Sequence, residues 1–323
     1  VWLEPVPPTA ITRLDVGSDV DRSRIRVRAD VHAPRPGDRI VARVLEGRRV
    51  VAIGEGSPAE PLEIALVAPR LWSPRAPHLY DLRIELHRGA ALLDAVRSYC
   101  GLRKISLAPG RDGAVIHLNG EPLFQIGPLD QGFWPDGLYT APTDAALRYD
   151  IEVTKRAGVN MARKHVKIEP ERWYWHCDRL GLLVWQDMPS GDRYAPSVKP
   201  DDPRVEITRS PKSARQFEAE LDALIAGRGH HPSIVTWVIF NEGWGQYATR
   251  RLSAEVQARD PSRLVIGSSG WNDLRSGDIA DVHRYPGPGM SPPEKERAAV
   301  LGEFGGLGLP VPGHLWWDKR NWG

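Results

Sequence analysis

The chain has 323 residues, enough for more than one domain, and its 43 Lys and Arg nearly balance 41 Asp and Glu, for a net charge of +2. This balance excludes a strong field for nucleic acid or an anionic membrane, and no apolar run reaches the roughly 18 residues of a membrane span. Cys100 and Cys177 match no metal or redox spacing, so two separate buried residues are favoured over a disulfide. The chain begins at Val1 without a leader-like segment, so we expect it to be cut from a longer protein, and periplasmic, secreted and cytoplasmic locations stay open.

The first hundred residues alternate apolar and polar side chains with the period of half-buried strands. Residues 25–31 place Ile, Val, Ala and Val between arginines and an aspartate, and residues 80–86 repeat the pattern. Segments rich in Pro and Gly separate such runs at intervals typical of sandwiches. We therefore predict a small β-sandwich over residues 9–105.

From about residue 112 the pattern changes to short apolar strands alternating with amphipathic helices, which predicts a parallel sheet covered by helices. Seven strands are predicted, at Phe124–Gly127, Val159–Lys164, Leu182–Asp187, Ile234–Asn241, Leu264–Ser268, Ile279–His283 and Val300–Phe304. Helices are predicted at Thr143–Ala157, Glu169–Leu180 and Ala214–Ala226.

Polar residues follow almost every predicted strand at its C-terminal end, and no glycine-rich phosphate-binding turn follows the first strand. Together these features favour a (β/α)8 TIM barrel, with its site on the loop face, over a doubly wound sheet. Seven strands precede about twenty remaining residues. We therefore expect the barrel, over residues 106–323, to be truncated after strand 7.

Glu242 ends the fourth predicted strand and Glu303 ends the seventh, so the two carboxylates would face each other across the barrel mouth. A single glutamate after a strand is more commonly a helix N-terminal residue favoured by the helix dipole. Two of them, each beside glycine and an aromatic residue, favour glycoside cleavage instead. Their separation would distinguish retention, at about 5–5.5 Å, from inversion, at roughly 6.5–9.5 Å.

Several short motifs resemble glycoside hydrolase family 2, the group of β-galactosidases, β-glucuronidases and β-mannosidases. Residues 1–8 resemble the exit from that family's N-terminal jelly-roll-like, sugar-binding-like domain, and residues 9–105 resemble its immunoglobulin-like β-sandwich. The motifs that carry the resemblance are Leu71-Trp-Ser-Pro74, Pro77-His-Leu-Tyr80, Gly101-Leu-Arg-Lys104, Asn119-Gly-Glu-Pro122, Asn160-Met-Ala-Arg-Lys-His165, His231-Pro-Ser-Ile234, Phe240-Asn-Glu242 and Gly302-Glu-Phe304.

The resemblance implies an exo-acting retaining β-glycosidase with Glu242 as the general acid/base and Glu303 as the nucleophile. It implies that Asn241 binds the sugar 2-hydroxyl and that Tyr285 orients the nucleophile. Further substrate-binding residues that it implies are Arg163, His165, His283, Trp271, Asp187, Trp244 and Asp130. The residues alone also allow a structural ion pair at Arg163 and core positions for the two histidines.

The resemblance further implies a carbohydrate substrate. We expect no cofactor and, from the charge balance and hydropathy, no nucleic-acid or membrane partner, and a homo-oligomer of a full-length parent stays open. We expect no metal, because neither His165 nor His283 has a partner at metal-ligand spacing. Residues 128–134 replace the segment that shapes the galactose or glucuronate pocket in better-known members, so the sugar stays open. The insertion at 190–213 is expected to be a loop near the mouth that either contributes to the subsites or, as is slightly favoured, is a surface excursion.

Two other functions remain open from the sequence. One is a carbohydrate-binding protein on a degenerate barrel, without turnover, although the presence of both glutamates argues against it. The other is a barrel glycosidase of another clan, such as an endo-glucanase, which the preceding sandwich disfavours.

Overall fold

The computed structural model describes residues 3–195, 205–308 and 310–313, and within them a β-sandwich precedes a parallel α/β barrel. Val1 and Trp2 of the predicted N-terminal tail, and the middle of the 190–213 insertion, lie outside the described residues. Cys100 and Cys177 are both buried and free, as predicted. No helix in the described part has the length and apolar character to cross a membrane.

The sandwich is built from seven antiparallel strands in two sheets. They are β1 (Ala10–Asp19), β2 (Arg24–His32), β3 (Asp38–Glu46), β4 (Arg49–Gly56), β5 (Leu62–Ala65), β6 (Tyr80–Arg88) and β7 (Ala91–Cys100). One sheet has the order β1-β2-β5 and the other β4-β3-β6-β7. Ile25, Val27 and Ala29 are buried between exposed arginines, and the apolar residues of β6 are buried in the same way. The predicted alternation is therefore confirmed in both strands.

The barrel follows three short strands, and its wall contains seven strands within the described residues. The short strands are β8 (Ile105–Pro109), β9 (Ala114–Leu118) and β10 (Glu121–Pro122); the wall strands are β11 (Leu129–Asp130), β12 (Met161–Lys164), β13 (Leu183–Asp187), β14 (Ile234–Asn241), β15 (Leu264–Ser269), β16 (Ile279–Arg284) and β17 (Ala298–Phe304). Strands β11 to β15 are parallel neighbours in chain order, and β16 pairs in parallel with β17. The expectation of a barrel truncated after strand 7 remains a prediction.

Helices cover the outside of the wall. They are α1 (Asp144–Arg156), α2 (Glu171–Leu180), α3 (Pro211–Arg228) and α4 (Thr249–Arg259). The Thr143 hydroxyl caps α1 by accepting a bond from the Ala146 amide at 3.0 Å, and Gly181 ends α2 at φ +76°. The three predicted helices are confirmed within a few residues, whereas α4 was not predicted.

The first wall strand is shorter and later than predicted, at Leu129–Asp130 instead of Phe124–Gly127. Phe124 is 82% exposed, so its ring does not contribute to a core. The backbone carbonyl of Ile126 instead accepts from the Asn160 amide at 3.0 Å, as an irregular segment beside β12. The apolar character of this segment was misread as burial.

Alternate residues of the wall strands face the barrel interior or the helices. The interior core includes Met161, Leu183, Trp185, Val238 and Ile266. The helix-facing core includes Ala162, Val184, Trp237, Ile239 and Val265. Arg163 follows Met161 by two residues and Asp187 follows Trp185 by two, so both side chains lie on the interior face at the C-terminal ends of their strands.

Candidate active site

Glu242 and Glu303 come together at the C-terminal ends of β14 and β17. One oxygen of each carboxylate and one ring nitrogen of His283 all lie within 4.8 Å of one another. The Glu303 side chain is 6% exposed and that of Glu242 is 23% exposed. The deeper carboxylate is therefore enclosed by protein, while the other one reaches solvent.

Glu242 has a backbone conformation that its sequence position did not reveal. Its φ is +53°, in the left-handed region that non-glycine residues rarely adopt. Its amide donates to the Ser269 carbonyl at 2.9 Å, which holds the strand end in place. Gly243 follows because a Cβ there would lie 2.5 Å from Asn272 Nδ2. Strained positions of this kind concentrate at functional sites, where surrounding structure holds them.

Arg163 connects the groups around Glu303. Its guanidinium binds both oxygens of Asp187 at 3.0 Å, Oε1 of Glu303 at 2.9 Å and Oδ1 of Asn241 at 2.8 Å. Burial alone would lower the pKa of Arg163, but the neighbouring carboxylates, Asp187 foremost, raise it above its usual value. The guanidinium therefore stays charged and fixes the orientation of three polar side chains.

Tyr285 completes the coordination of Glu303. Its hydroxyl donates to Oε2, the oxygen that Arg163 does not contact. Burial, and then the hydrogen bond to Glu303, raise the pKa of the Tyr285 hydroxyl, so it remains a donor at neutral pH. Each oxygen of this carboxylate thus has its own hydrogen-bond donor.

His283 lies between the two glutamates. A register shift between Val282 and His283 pairs this histidine with Glu303 across β16 and β17, as bulges beside functional sites commonly re-aim a side chain. Its Nδ1 lies 2.9 Å from Glu242 Oε1, and its Nε2 lies 2.8 Å from the Ser269 hydroxyl and 3.5 Å from Glu303 Oε1. The imidazole therefore contacts the acid/base candidate directly.

Ser269 contacts His283 at Nε2, and Asp281 in turn binds the Ser269 hydroxyl. Neither residue was identified from the sequence. The Ser269 hydroxyl donates to Asp281 at 2.5 Å. Burial raises the pKa of Asp281, and Arg163 and then His283 oppose that rise. The period of a strand places Asp281 and His283 on one face of β16, which was the available signal.

His165 lies beside Glu303 with an unused polar atom. Its Nε2 is 3.6 Å from Glu303 Oε1 and, among the described residues, is buried without a hydrogen-bond partner. Its Nδ1 is 3.2 Å from the Gln131 amide nitrogen, a contact that the sequence did not reveal. Burial lowers the pKa of His165, so its imidazole is neutral at neutral pH.

Two tryptophans flank the mouth. Trp271 is 42% exposed and meets the His283 ring edge-on, with centroids 5.9 Å apart. Trp244 is 40% exposed and stacks on Tyr194 at 4.9 Å. Tyr194 belongs to the loop after β13 and was not singled out from the sequence.

The expectation that the 190–213 insertion is a surface excursion is wrong for its described parts, 190–195 and 205–213. The Ala195 amide donates to the Gly243 carbonyl at 2.8 Å, directly beside Glu242. Val205 is fully buried and Ile207 is 9% exposed, because both have apolar side chains that pack inward. The insertion therefore forms part of the wall around the mouth.

Asp130 is not part of this cluster. It pairs in register with Lys164, so it shares the helix-facing side of the wall rather than the interior side of Arg163. Its carboxylate contacts Lys164 Nζ at 2.7 Å, and Lys164 is also bound by Glu169 at 2.9 Å. Asp130 therefore lies with Lys164 and Glu169 rather than beside Glu242 and Glu303, and its contact with substrate stays a prediction.

Comparisons with known proteins agree with this architecture. The family model described as "Glycosyl hydrolases family 2" matches residues 9–103, and the one described as "Glycosyl hydrolases family 2, TIM barrel domain" matches residues 141–283. A β-galactosidase of Leuconostoc mesenteroides is 26% identical over 219 residues, covering 68% of this chain and 20% of that protein. A β-galactosidase of Aeromonas hydrophila is 30% identical over 220 residues, again covering 68% of this chain and 20% of that protein.

The structure also resembles the FMN-binding β-glucuronidase from Facaelibacterium prausnitzii L2-6, with a TM-score of 0.72 and 22% identity. That likeness covers 87% of this chain and 45% of the other, and it concerns the fold alone. The chain spans about a fifth of the length of the two β-galactosidases. Because both family models match in the order sandwich then barrel, the chain belongs to glycoside hydrolase family 2.

Proposed function

We propose that this chain carries the catalytic centre of a retaining exo-β-glycosidase, with Glu303 as the nucleophile and Glu242 as the general acid/base. The observation that carries the proposal is the approach of the two carboxylates, with oxygens within 4.8 Å of each other. Retaining glycosidases hold the pair at about 5–5.5 Å, whereas inverting enzymes need roughly 6.5–9.5 Å to admit a water molecule.

The reaction follows from these positions. A Glu303 oxygen bonds to the anomeric carbon while the glycosidic bond breaks, and Glu242 gives its proton to the leaving oxygen. Glu242 then takes a proton from water, whose oxygen displaces Glu303 from the anomeric carbon. Two inversions at one carbon leave the product with the substrate's configuration.

The contacts of Glu303 support the nucleophile role. Arg163 and Tyr285 each donate to one oxygen, which favours the ionised carboxylate and fixes its direction. Both oxygens of Asp187 bind Arg163, so we assign Asp187 the positioning of that guanidinium rather than contact with sugar. Asn241 gives its amide oxygen to Arg163, which leaves its NH₂ group to bind the sugar 2-hydroxyl.

The contacts of Glu242 support the proton-donor role. The Ser269 hydroxyl donates to Asp281, and His283 Nε2 lies 2.8 Å from that hydroxyl and 3.4 Å from the Arg163 guanidinium. His283 Nδ1 and Glu242 Oε1 lie 2.9 Å apart, so the imidazole and the carboxyl group share one proton between them. This shared proton supports the assignment of Glu242 as the group that protonates the leaving oxygen.

His165 fits a subsite for the sugar, and Trp244 with Tyr194 fits a subsite for the leaving group. Among the described residues, His165 Nε2 is buried beside Glu303 without a hydrogen-bond partner, which leaves it to bind a sugar hydroxyl. Trp244 and Tyr194 offer a stacked aromatic surface next to the loop of Glu242, where a leaving group lies. The relatives are named as β-galactosidases and β-glucuronidases, which supports β-linked sugars as the substrate class.

Release of aryl groups from a panel of aryl β-glycosides, by the longest form that the gene encodes, tests this proposal. We expect one sugar class to be hydrolysed, Glu303→Gln to lose activity, and the surface control Glu255→Gln to retain it. Proton NMR of the first-formed sugar should show the β-anomer. Hydrolysis of no glycoside despite sugar binding would favour the carbohydrate-binding alternative, and a first-formed α-anomer would exclude retention.

A further inference from the structure

A second group of metal-ligating side chains lies outside the candidate active site, on the outer layer of the barrel. Glu171 begins α2, and His230 and His231 lie in the turn between α3 and β14. One oxygen of Glu171 and one nitrogen of each histidine all lie within 4.8 Å of one another. The expectation of no metal considered other histidines and did not weigh this adjacent pair.

The spacing of these three atoms suits a small transition-metal ion. Zn²⁺ holds nitrogen and oxygen ligands at about 2.0–2.2 Å in a tetrahedron, so two ligand atoms lie roughly 3.3–3.5 Å apart. Glu171 Oε2 is 2.8 Å from His231 Nε2 and 3.5 Å from His230 Nε2. The second separation fits the tetrahedral spacing and the first is somewhat shorter, while the two histidine nitrogens lie within 4.8 Å of each other.

Two of the three ligands are already held in direction by other side chains. His231 Nδ1 is 2.6 Å from Asp178, whose side chain is fully buried, and this carboxylate–histidine pairing is typical of metal-binding histidines. Glu171 Oε1 accepts from Arg228, which leaves Oε2 for an ion. Buried partners of this kind make a site rigid before an ion binds.

The hydrogen bonds of His231 leave a position at its other nitrogen that either a proton or a metal ion can fill. When Nδ1–H donates to Asp178, Nε2 of the neutral ring presents a lone pair to the Glu171 carboxylate oxygen 2.8 Å away. Two acceptors at this distance need a proton or a metal ion between them. The site is reachable, since the Glu171 side chain is 52% exposed and that of His230 is 28% exposed.

We propose that Glu171, His230 and His231 bind a zinc-like divalent ion, with a water molecule in the fourth position. The ion would tie the start of α2 to the turn before β14. Through Asp178 it would also reach Tyr99 of the sandwich, whose hydroxyl donates to the same carboxylate at 2.7 Å. The site is structural and does not depend on the proposed glycosidase activity.

Zinc binding by the chelator-treated full chain tests the proposal, with Zn²⁺ equivalents measured by competition with a chromophoric chelator. We expect His230→Asn to bind one equivalent fewer than the unmodified chain, or to bind it at least tenfold more weakly. The exposed His32→Asn should bind as the unmodified chain does, which controls for the loss of a histidine. Counting the difference separates this site from the Glu242–His283–Glu303 cluster.

Thermal unfolding with and without Zn²⁺ gives a second readout. We expect Zn²⁺ to raise the Tm of the unmodified chain and of His32→Asn, and to raise that of His230→Asn less. Equal unfolding of the variants in chelator shows that His230→Asn folds. Equal zinc binding by His230→Asn and the unmodified chain, or none by either, would overturn the proposal.

Discussion

Replacing Arg163 by methionine tests whether the interior of the barrel mouth is held by one buried cation. Arg163 is 2% exposed, and its guanidinium hydrogen-bonds to Asp187, Glu303 and Asn241 and contacts His283 Nε2 at 3.4 Å. Methionine has a similar length but no donor. The change therefore leaves Asp187, itself 1% exposed, as a buried carboxylate without its cation.

The expected loss follows from that unpaired charge. Removing one partner of a buried ion pair costs about 3–5 kcal/mol in free energy of unfolding, mostly because the other charge stays buried. Among the described residues, the Asp187 carboxylate keeps the Val166 amide at 3.2 Å as its donor, so we expect Arg163→Met to lose about 4 kcal/mol. Arg163→Met/Asp187→Leu should recover part of this loss, because the orphaned carboxylate is gone.

Urea unfolding followed by tryptophan fluorescence measures this difference. Arg251→Met is the matched control: it also removes an arginine with two carboxylate partners, but on the surface, where its side chain is 46% exposed. Exposed pairs contribute about 0–1 kcal/mol, so the control should change little. The reasoning is refuted if the two variants lose equal stability, or if the double variant is less stable than Arg163→Met.

Two further predictions address catalysis and acid stability. Tyr285→Phe removes a hydrogen bond to the Glu303 carboxylate worth about 1.5–3 kcal/mol, so kcat/KM should fall roughly 10- to 150-fold in steady-state assays; unchanged kinetics would contradict the contact. Burial raises the pKa of Asp260, but Arg263 and hydrogen bonds outweigh it and lower the pKa to about 2. Ionised Asp260 therefore stabilises the fold above about pH 4, and this stability, about 2 kcal/mol, is lost as pH falls to about 2. Asp260→Asn should remove that part of the acid dependence in urea unfolding measured at pH 2–5, and an unaltered profile would contradict it.

The sequence predicted those features that rest on local periodicity. The alternation in β2 and β6 and the apolar runs of β13 and β14 each follow from which face of a strand is buried. The positions of Glu242 and Glu303 followed from strand ends in a barrel. Helix α4 was not predicted from the sequence because Leu252 and Val256 are its only buried apolar residues, among many polar ones.

The features that were missed depend on register and on contacts distant in sequence. The side of the barrel wall on which Asp130 lies depends on its pairing with Lys164 in the neighbouring strand, and no local sequence pattern predicts that pairing. The bulge that brings His283 opposite Glu303 is likewise a property of two strands together. The left-handed backbone of Glu242 could have been suspected from the glycine that follows it, but its hydrogen bond to Ser269 could not.

Covalent labelling of the proposed nucleophile tests the central claim most directly. The label is a 2-deoxy-2-fluoro sugar with a good leaving group, in the sugar configuration that the protein hydrolyses. Its fluorine slows hydrolysis of the covalent glycosyl-enzyme more than formation of that intermediate. Peptide mass spectrometry should then find one added sugar on the peptide that contains Glu303, and Glu303→Gln should remain unlabelled. A label on Glu242, or time-dependent hydrolysis of the parent glycoside without any label, would contradict the assignment.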